Sequence, residues 1–188
     1  MNNLEQRLNQ LELLLKTHQH TGADFTQVLR NQDFQQLGKI ELLAAATSMS
    51  ITIPPRVFLR VLIQFGAKSG VSDDYLTFNS DSGSNYTFIN SGGTARTSQA
   101  QIDIRDGLNS ALGGFCVIDI ANYLSSIVKP IVVHTTNRIT SAATSQTFYQ
   151  IFGNWVNTAN QITTIKLASS NSQTYPVNSS LLVLGSKF

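Results

Sequence analysis

The sequence has few charged residues, a single cysteine and no long apolar run. Only 13% of its 188 residues are charged, against about 25% in an average soluble domain. The single cysteine, Cys116, excludes an intrachain disulfide framework and a zinc site built on several thiolates. No apolar stretch approaches the roughly 18 residues of a membrane span, and no basic segment followed by an apolar one indicates a signal peptide. We therefore expect neither a membrane span nor classical secretion.

The net charge of the chain is also small. It is +2 at pH 7, and the charged residues are scattered along the sequence. Nucleic-acid-binding domains instead concentrate lysine and arginine on one surface. The composition thus gives no indication of a nucleic-acid partner.

Small polar residues take the place of charges, since Ser, Thr, Asn and Gln occupy about a third of the positions. Such a composition is typical of disorder only when aromatic and β-branched residues are rare. Here there are ten Phe, five Tyr and one Trp, together with many Ile, Val and Thr. The composition therefore predicts β-structure with a neutral polar exterior.

The first residues of the chain have a different pattern, with apolar side chains at alternating spacings of three and four. This heptad seam predicts a short parallel coiled coil over residues 1–21. Its seam residues are Met1, Leu4, Leu8, Leu11 and Leu15. A helix of this length is marginal alone, so something else must hold the chains together. Leu13 and Leu14 lie off the seam and leave open a single amphipathic helix on its own domain.

Two further regions follow. Residues 22–49 show no sustained apolar period, and we interpret them as a linker with short helical or irregular pieces that packs onto something. From residue 50 to 188, short β-like runs alternate with turns rich in Gly, Ser, Asn and Asp. We predict ten strands at residues 50–53, 57–65, 75–79, 86–90, 99–104, 115–120, 127–134, 147–155, 162–167 and 181–184. This number of short strands predicts a jelly-roll-like β-sandwich.

Two histidines, His18 and His20, directly follow the leucine seam. If the chain is extended there, their side chains point the same way, and three chains would present six imidazoles to a point on a threefold axis. Octahedral nitrogen coordination suits iron or nickel better than zinc. Such a metal would supply the stability that the short coiled coil lacks. Two solvated histidines at a helix end are the alternative.

Catalytic interpretations of the sequence are weaker. A cupin-like metal enzyme would combine His18, His20 and Asp24 with a second half at His134 and Asn137. A leucine heptad, however, precedes the histidine pair instead of a strand and a glycine turn. A cysteine nucleophile set would combine Cys116 with His134 and Asn137. Cys116, however, lies inside an apolar run, where free thiols usually pack inertly. No nucleophile elbow, phosphate loop or dinucleotide fingerprint is present. We expect no enzymatic activity.

Several segments, in this order, resemble a family of tailed-bacteriophage structural proteins: trimeric fibres, spikes and head-decoration proteins. Residues 11–24 (LELLLKTHQHTGAD) are similar to the family's leucine-rich helix and His-x-His-x-Gly segment. Three later segments follow: residues 75–86 (YLTFNSDSGSNY), residues 122–129 with Asn122, Tyr123 and Lys129, and residues 155–185. The resemblance implies a short N-terminal coiled coil, a jelly-roll sandwich and an axial metal held by His18 and His20.

Together these observations predict a non-enzymatic homotrimeric virion protein, made in the host cytoplasm, that mediates attachment or stabilises the particle. Its partners would be copies of itself and capsid or tail proteins, without nucleic acid. A carbohydrate- or receptor-binding module is the first alternative, with Tyr86, Tyr123 and Trp155 stacking on a host surface glycan. The cupin-like metal enzyme is the second.

Overall fold

The computed structural model describes residues 34–68, 73–90, 92–105, 113–122, 127–138, 146–170 and 173–186. The chain divides into two units, Met1–Asp33 and Phe34–Phe188, and all described residues belong to the second. This part of the chain is mainly β and contains no α-helix. None of the described elements is a helix long and apolar enough to cross a membrane.

Twelve strands in the described ranges form two antiparallel sheets. The strands are β1 (Gln35–Glu41), β2 (Ser48–Thr52), β3 (Phe58–Phe65), β4 (Asp74–Phe78), β5 (Tyr86–Asn90), β6 (Ala95–Gln99), β7 (Ile102–Arg105), β8 (Gly114–Ala121), β9 (Lys129–Arg138), β10 (Gln146–Trp155), β11 (Thr164–Ser169) and β12 (Ser180–Ser186). The larger sheet has the order β1-β12-β3-β8-β9-β10-β5-β6. The smaller sheet has the order β2-β11-β4-β7.

Alternation of side chains along the strands builds the core. In β3, Leu59, Val61 and Ile63 are buried, whereas the residues between them are more accessible. The other long strands alternate in the same way, because successive strand residues point to opposite faces. The buried residues of both sheets join in one hydrophobic cluster that includes Leu76 and Ile165 of the smaller sheet.

Each of the ten predicted strands overlaps a strand of the structure, so the mainly-β prediction is confirmed. The linker prediction for residues 22–49 is wrong in its described part, because β1 and the start of β2 lie there. A bulge between Gln36 and Gly38 shifts the register of β1 against β12. Leu37 and Ile40 are three residues apart, yet both pack against the core. The extra residue of the bulge breaks the two-residue spacing of apolar side chains by which strands are predicted from sequence.

Lys68 and Asp74 form a fully buried ion pair, in which Lys68 Nζ contacts the Asp74 carboxylate. Lys68 Nζ also donates to Ser169 Oγ at 2.9 Å and lies 4.0 Å from the centre of the Tyr175 ring. The Tyr175 hydroxyl donates to Asp74 Oδ1 at 2.8 Å. Because the surroundings of a buried pair have low polarity, its hydrogen bonds and ion contact are stronger than those of a surface pair, and losing one partner costs more stability.

A second polar network fixes the turn between β4 and β5. The half-buried Asp81 carboxylate accepts hydrogen bonds from Trp155 Nε1 at 2.7 Å, from Gly83 N at 2.9 Å and from Asn85 Nδ2 at 3.0 Å. Partial burial raises the pKa of the Asp81 carboxyl, but these hydrogen bonds outweigh it and hold the pKa below its ordinary value. Folding therefore favours the ionised carboxylate.

Asp81→Asn is expected to lower the free energy of unfolding by about 1–2 kcal/mol at pH 7, since a carboxylate with several donors becomes an amide. Because the folded-state pKa of Asp81 is lowered, its contribution is present above the unfolded pKa of about 3.9 and is lost as the pH falls through the folded pKa. Urea unfolding should show the difference from wild type shrinking between about pH 5 and pH 2. The control Glu41→Gln removes an exposed carboxylate paired with Lys39 and should change little. A difference that is independent of pH would contradict this role of Asp81.

Candidate interaction surface

The outward side of the larger sheet is unusually apolar. Seven side chains on four central strands and on β5 make up what we call the apolar face: Leu62, Ile89, Phe115, Val117, Val132, Phe148 and Phe152. Phe148 is 58% exposed, Phe152 51% and Phe115 44%. Strand pairing places Phe152 opposite both Val132 and Ile89, and Leu62 opposite Val117. Phe115 and Phe148 lie on either side of Thr136 of β9. Contiguous exposed patches of this kind mark interaction sites on soluble proteins.

Beside the apolar face, one positive and one negative side chain neutralise each other. Arg60 and Asp119 lie opposite each other on β3 and β8 and form a two-point ion pair, with N···O distances of 2.6 and 2.9 Å. Hydrogen bonding to Asp119 raises the pKa of the Arg60 guanidinium above its ordinary value. The pair satisfies its own charges, so an apolar partner can approach it without leaving one charge unmatched.

A groove of about 320 Å³ adjoins the ion pair and is lined by Phe34, Phe58, Pro130 and Val132 among other residues. The Phe34 ring lies 5.3 Å from the Arg60 guanidinium carbon. The groove and the apolar face together form a continuous surface through Val132.

The structure separates the side chains of the cysteine nucleophile hypothesis. Cys116 on β8 is fully buried and lies opposite Thr135. His134 on β9 lies on the outward side, with its ring 6.0 Å from that of Phe148. The two side chains are thus on opposite faces of the sheet. A cupin-type site would need His134 inside the core, but this side chain lies outside it.

The predicted glycan-stacking role is wrong for two of its three residues. Tyr86 and Trp155 are completely buried. Their polar groups are used internally: Trp155 Nε1 donates to Asp81, and the Tyr86 hydroxyl accepts from Phe78 N at 2.8 Å. Both rings pack against Phe78, at centroid distances of 5.8 and 6.0 Å. Neither ring has a face available to a sugar, and Tyr123 lies outside the described residues.

The predicted metal and coiled-coil residues also lie outside the described part of the chain: His18, His20, Leu4, Leu8, Leu11 and Leu15. Within the ranges that the structure describes, no three His, Cys, Asp or Glu side chains are grouped to hold a metal ion. The axial metal therefore stays a prediction.

Sequence reasoning missed the apolar face because it used apolar runs only to locate strands. The available signal was the failure of alternation: residues 115–118 read FCVI and residues 131–133 read IVV. Runs of this kind are typical of strands covered on both sides. Which outward residues become neighbours depends on strand pairing, which joins Phe152 to Ile89 across more than 60 positions.

Comparisons with protein-family models, curated proteins and solved structures gave no match for this chain.

Proposed function

We propose that the protein is a non-enzymatic virion structural protein that assembles as a homotrimer, in which the apolar face packs copy against copy. Each chain would consist of the N-terminal coiled coil and a jelly-roll-like sandwich made by the two antiparallel sheets. The exposed apolar face is the observation that carries this proposal. The segments that resemble phage fibres, spikes and decoration proteins supply the virion context.

The size of the apolar face suits self-association. Burying a half-exposed phenylalanine contributes about 2 kcal/mol, and Phe115, Phe148 and Phe152 are all near half exposed. Several such side chains are needed, because association loses translational and rotational freedom. In a closed trimer every copy offers the same two patches, one to each neighbour. A surface whose charges are already paired within the chain, as Arg60 and Asp119 are, suits both contacts.

The proposed trimer also accounts for a coiled coil with so short a heptad seam. About two and a half heptads do not hold helices together in water. A second interface on the sheet would keep three chains together and so raise the effective concentration of their N-terminal segments. The seam then sets the copies parallel, and the sheet contact supplies most of the stability. The mass of the full chain in solution tests this assembly, and sheet-face variants test its location.

The proposed axial metal predicts a distinct stoichiometry. Protein purified without an affinity tag should contain about one transition metal ion, iron or nickel, per three chains, held by His18 and His20. The His18→Ala, His20→Ala double variant should lose the metal and melt at a lower temperature, since metal binding energy adds to folding energy. Elemental analysis and thermal unfolding measure the two effects. Metal-free wild-type protein would contradict this part of the proposal, and the His134→Ala variant, which should keep the metal, is the control.

A further inference from the structure

The outward side of the smaller sheet is polar, in contrast to the apolar face. Lys166 on β11 is exposed and lies opposite Ser50 on β2 and Thr77 on β4. Tyr75 stands two residues before Thr77 on the same strand, so both side chains point outward. Phenol, hydroxyl and ammonium groups are therefore neighbours on this side of the protein.

A groove of about 280 Å³ is open on this polar side, next to the turns that follow β4 and β6. Its lining includes Tyr75, Thr77, Ser80, Gln101 and Lys166. Tyr75 offers a flat apolar ring, and the other four side chains can exchange hydrogen bonds with a ligand. Ligand sites of soluble proteins combine apolar contact with a few polar groups in this way.

The turn that carries Ser80 is held in one conformation. Asn79 and Ser80 both have left-handed backbone angles, with φ of 52° and 57°. Residues other than glycine adopt this conformation only at a cost in free energy. The Asn79 amide offsets this cost. Its Nδ2 donates to Gln161 O at 2.7 Å, and its Oδ1 accepts from the backbone N of Thr163 and Thr164 at 2.8 and 2.9 Å. Because the turn is already ordered, placing the Ser80 hydroxyl on a ligand costs little further entropy.

The next residue completes the turn and affects the charge of the groove. Asp81 also lines the groove, and its carboxylate is held by Trp155 and Asn85. A negative carboxylate and the positive Lys166 ammonium thus stand in one groove. A strongly anionic ligand would be repelled by the first and a cationic one by the second. A neutral molecule rich in hydroxyl groups satisfies both, because a hydroxyl donates to the carboxylate side and accepts from the ammonium.

We infer that this groove binds a neutral pyranose saccharide. The apolar C–H side of the sugar ring lies on Tyr75, and its hydroxyl groups exchange hydrogen bonds with Ser80, Gln101 and Lys166. No residue of the apolar face takes part. The saccharide proposal therefore does not depend on the proposed trimer, and a negative result for one proposal does not contradict the other.

Saturation-transfer NMR on the full chain tests the site, with D-glucose, D-galactose and N-acetyl-D-glucosamine as neutral probes and N-acetylneuraminic acid as an acidic comparison. At least one neutral sugar should receive saturation, and Tyr75→Ala and Lys166→Ala should each weaken its binding by about tenfold. Lys39→Ala removes an exposed lysine on β1 of the larger sheet and should leave binding unchanged.

Lys166 is exposed, so its variant should fold normally, which thermal unfolding will show. The inference is overturned if none of the neutral sugars receives saturation. It is equally overturned if only N-acetylneuraminic acid does, or if a well-folded Lys166→Ala protein binds the neutral sugars as wild type does.

Discussion

Phe148→Glu together with Phe152→Glu is expected to convert the proposed trimer into monomers while the β-structure persists. The two rings are 58% and 51% exposed in one chain, so their replacement removes little from the core. In the proposed assembly they are covered by other copies, and each lost ring costs about 2 kcal/mol per chain. Two glutamates in an apolar contact would add the desolvation of a charge that has no partner. Sedimentation velocity and circular dichroism measure assembly and folding separately.

A matched control exists on the other sheet. Ser50→Glu with Thr52→Glu introduces the same charges at two exposed positions of β2, which belongs to the smaller sheet. This control should remain trimeric, because the proposed interface does not include β2. If the Phe148→Glu, Phe152→Glu protein sedimented as wild type does, the apolar face would not be the interface. Loss of assembly in both proteins would point to a general effect of charge.

Lys68→Met is expected to lower the free energy of unfolding by about 3–5 kcal/mol, the usual result of removing one partner of a buried ion pair. Both side chains of the pair with Asp74 are completely buried. The substitution keeps an unbranched side chain that is one heavy atom shorter, and it removes the ammonium that contacts Asp74 and Ser169. It also removes the cation from the face of Tyr175. The midpoint of urea unfolding at pH 7 measures the loss.

A double substitution separates the charge effect from a packing effect. Adding Asp74→Asn to Lys68→Met removes the uncompensated carboxylate, while an amide oxygen can still accept from the Tyr175 hydroxyl. Part of the lost stability should return. Lys166→Met, at an exposed position of β11, should change the free energy of unfolding by less than about 0.5 kcal/mol. A further loss in the double variant would show that the ion pair is not what Lys68 contributes.

Strand positions could be predicted because they depend on local pattern. All ten predicted strands exist, since apolar residues two apart face one core, as Leu59, Val61 and Ile63 do. Two strands of the structure were missed for local reasons. In β1 the bulge between Gln36 and Gly38 breaks the period, and a Cβ at position 38 would collide with the Ile51 side chain. In β6 the sequence ARTSQ has no apolar alternation to detect.

Sites were harder to predict, because they depend on pairs of residues that are distant along the chain. Lys68 follows β3 in a loop, and its contacts Ser169 and Tyr175 come about a hundred positions later in the chain. The sequence favours Trp155 as a ring that stacks on a ligand, whereas in the structure the ring is buried and its Nε1 donates to Asp81. The apolar face follows from the register of the strands. The histidine pair and leucine seam stay predictions of the sequence.

Native mass spectrometry of the untagged full chain, at micromolar concentration and supported by sedimentation equilibrium, tests the proposed assembly most directly. A trimer has a mass of about 62 kDa, three times the 20.6 kDa of one chain. We expect that species, with a further increment for one bound metal ion. A monomer of 20.6 kDa at the same concentration would contradict the coiled coil, the axial metal and the role of the apolar face together.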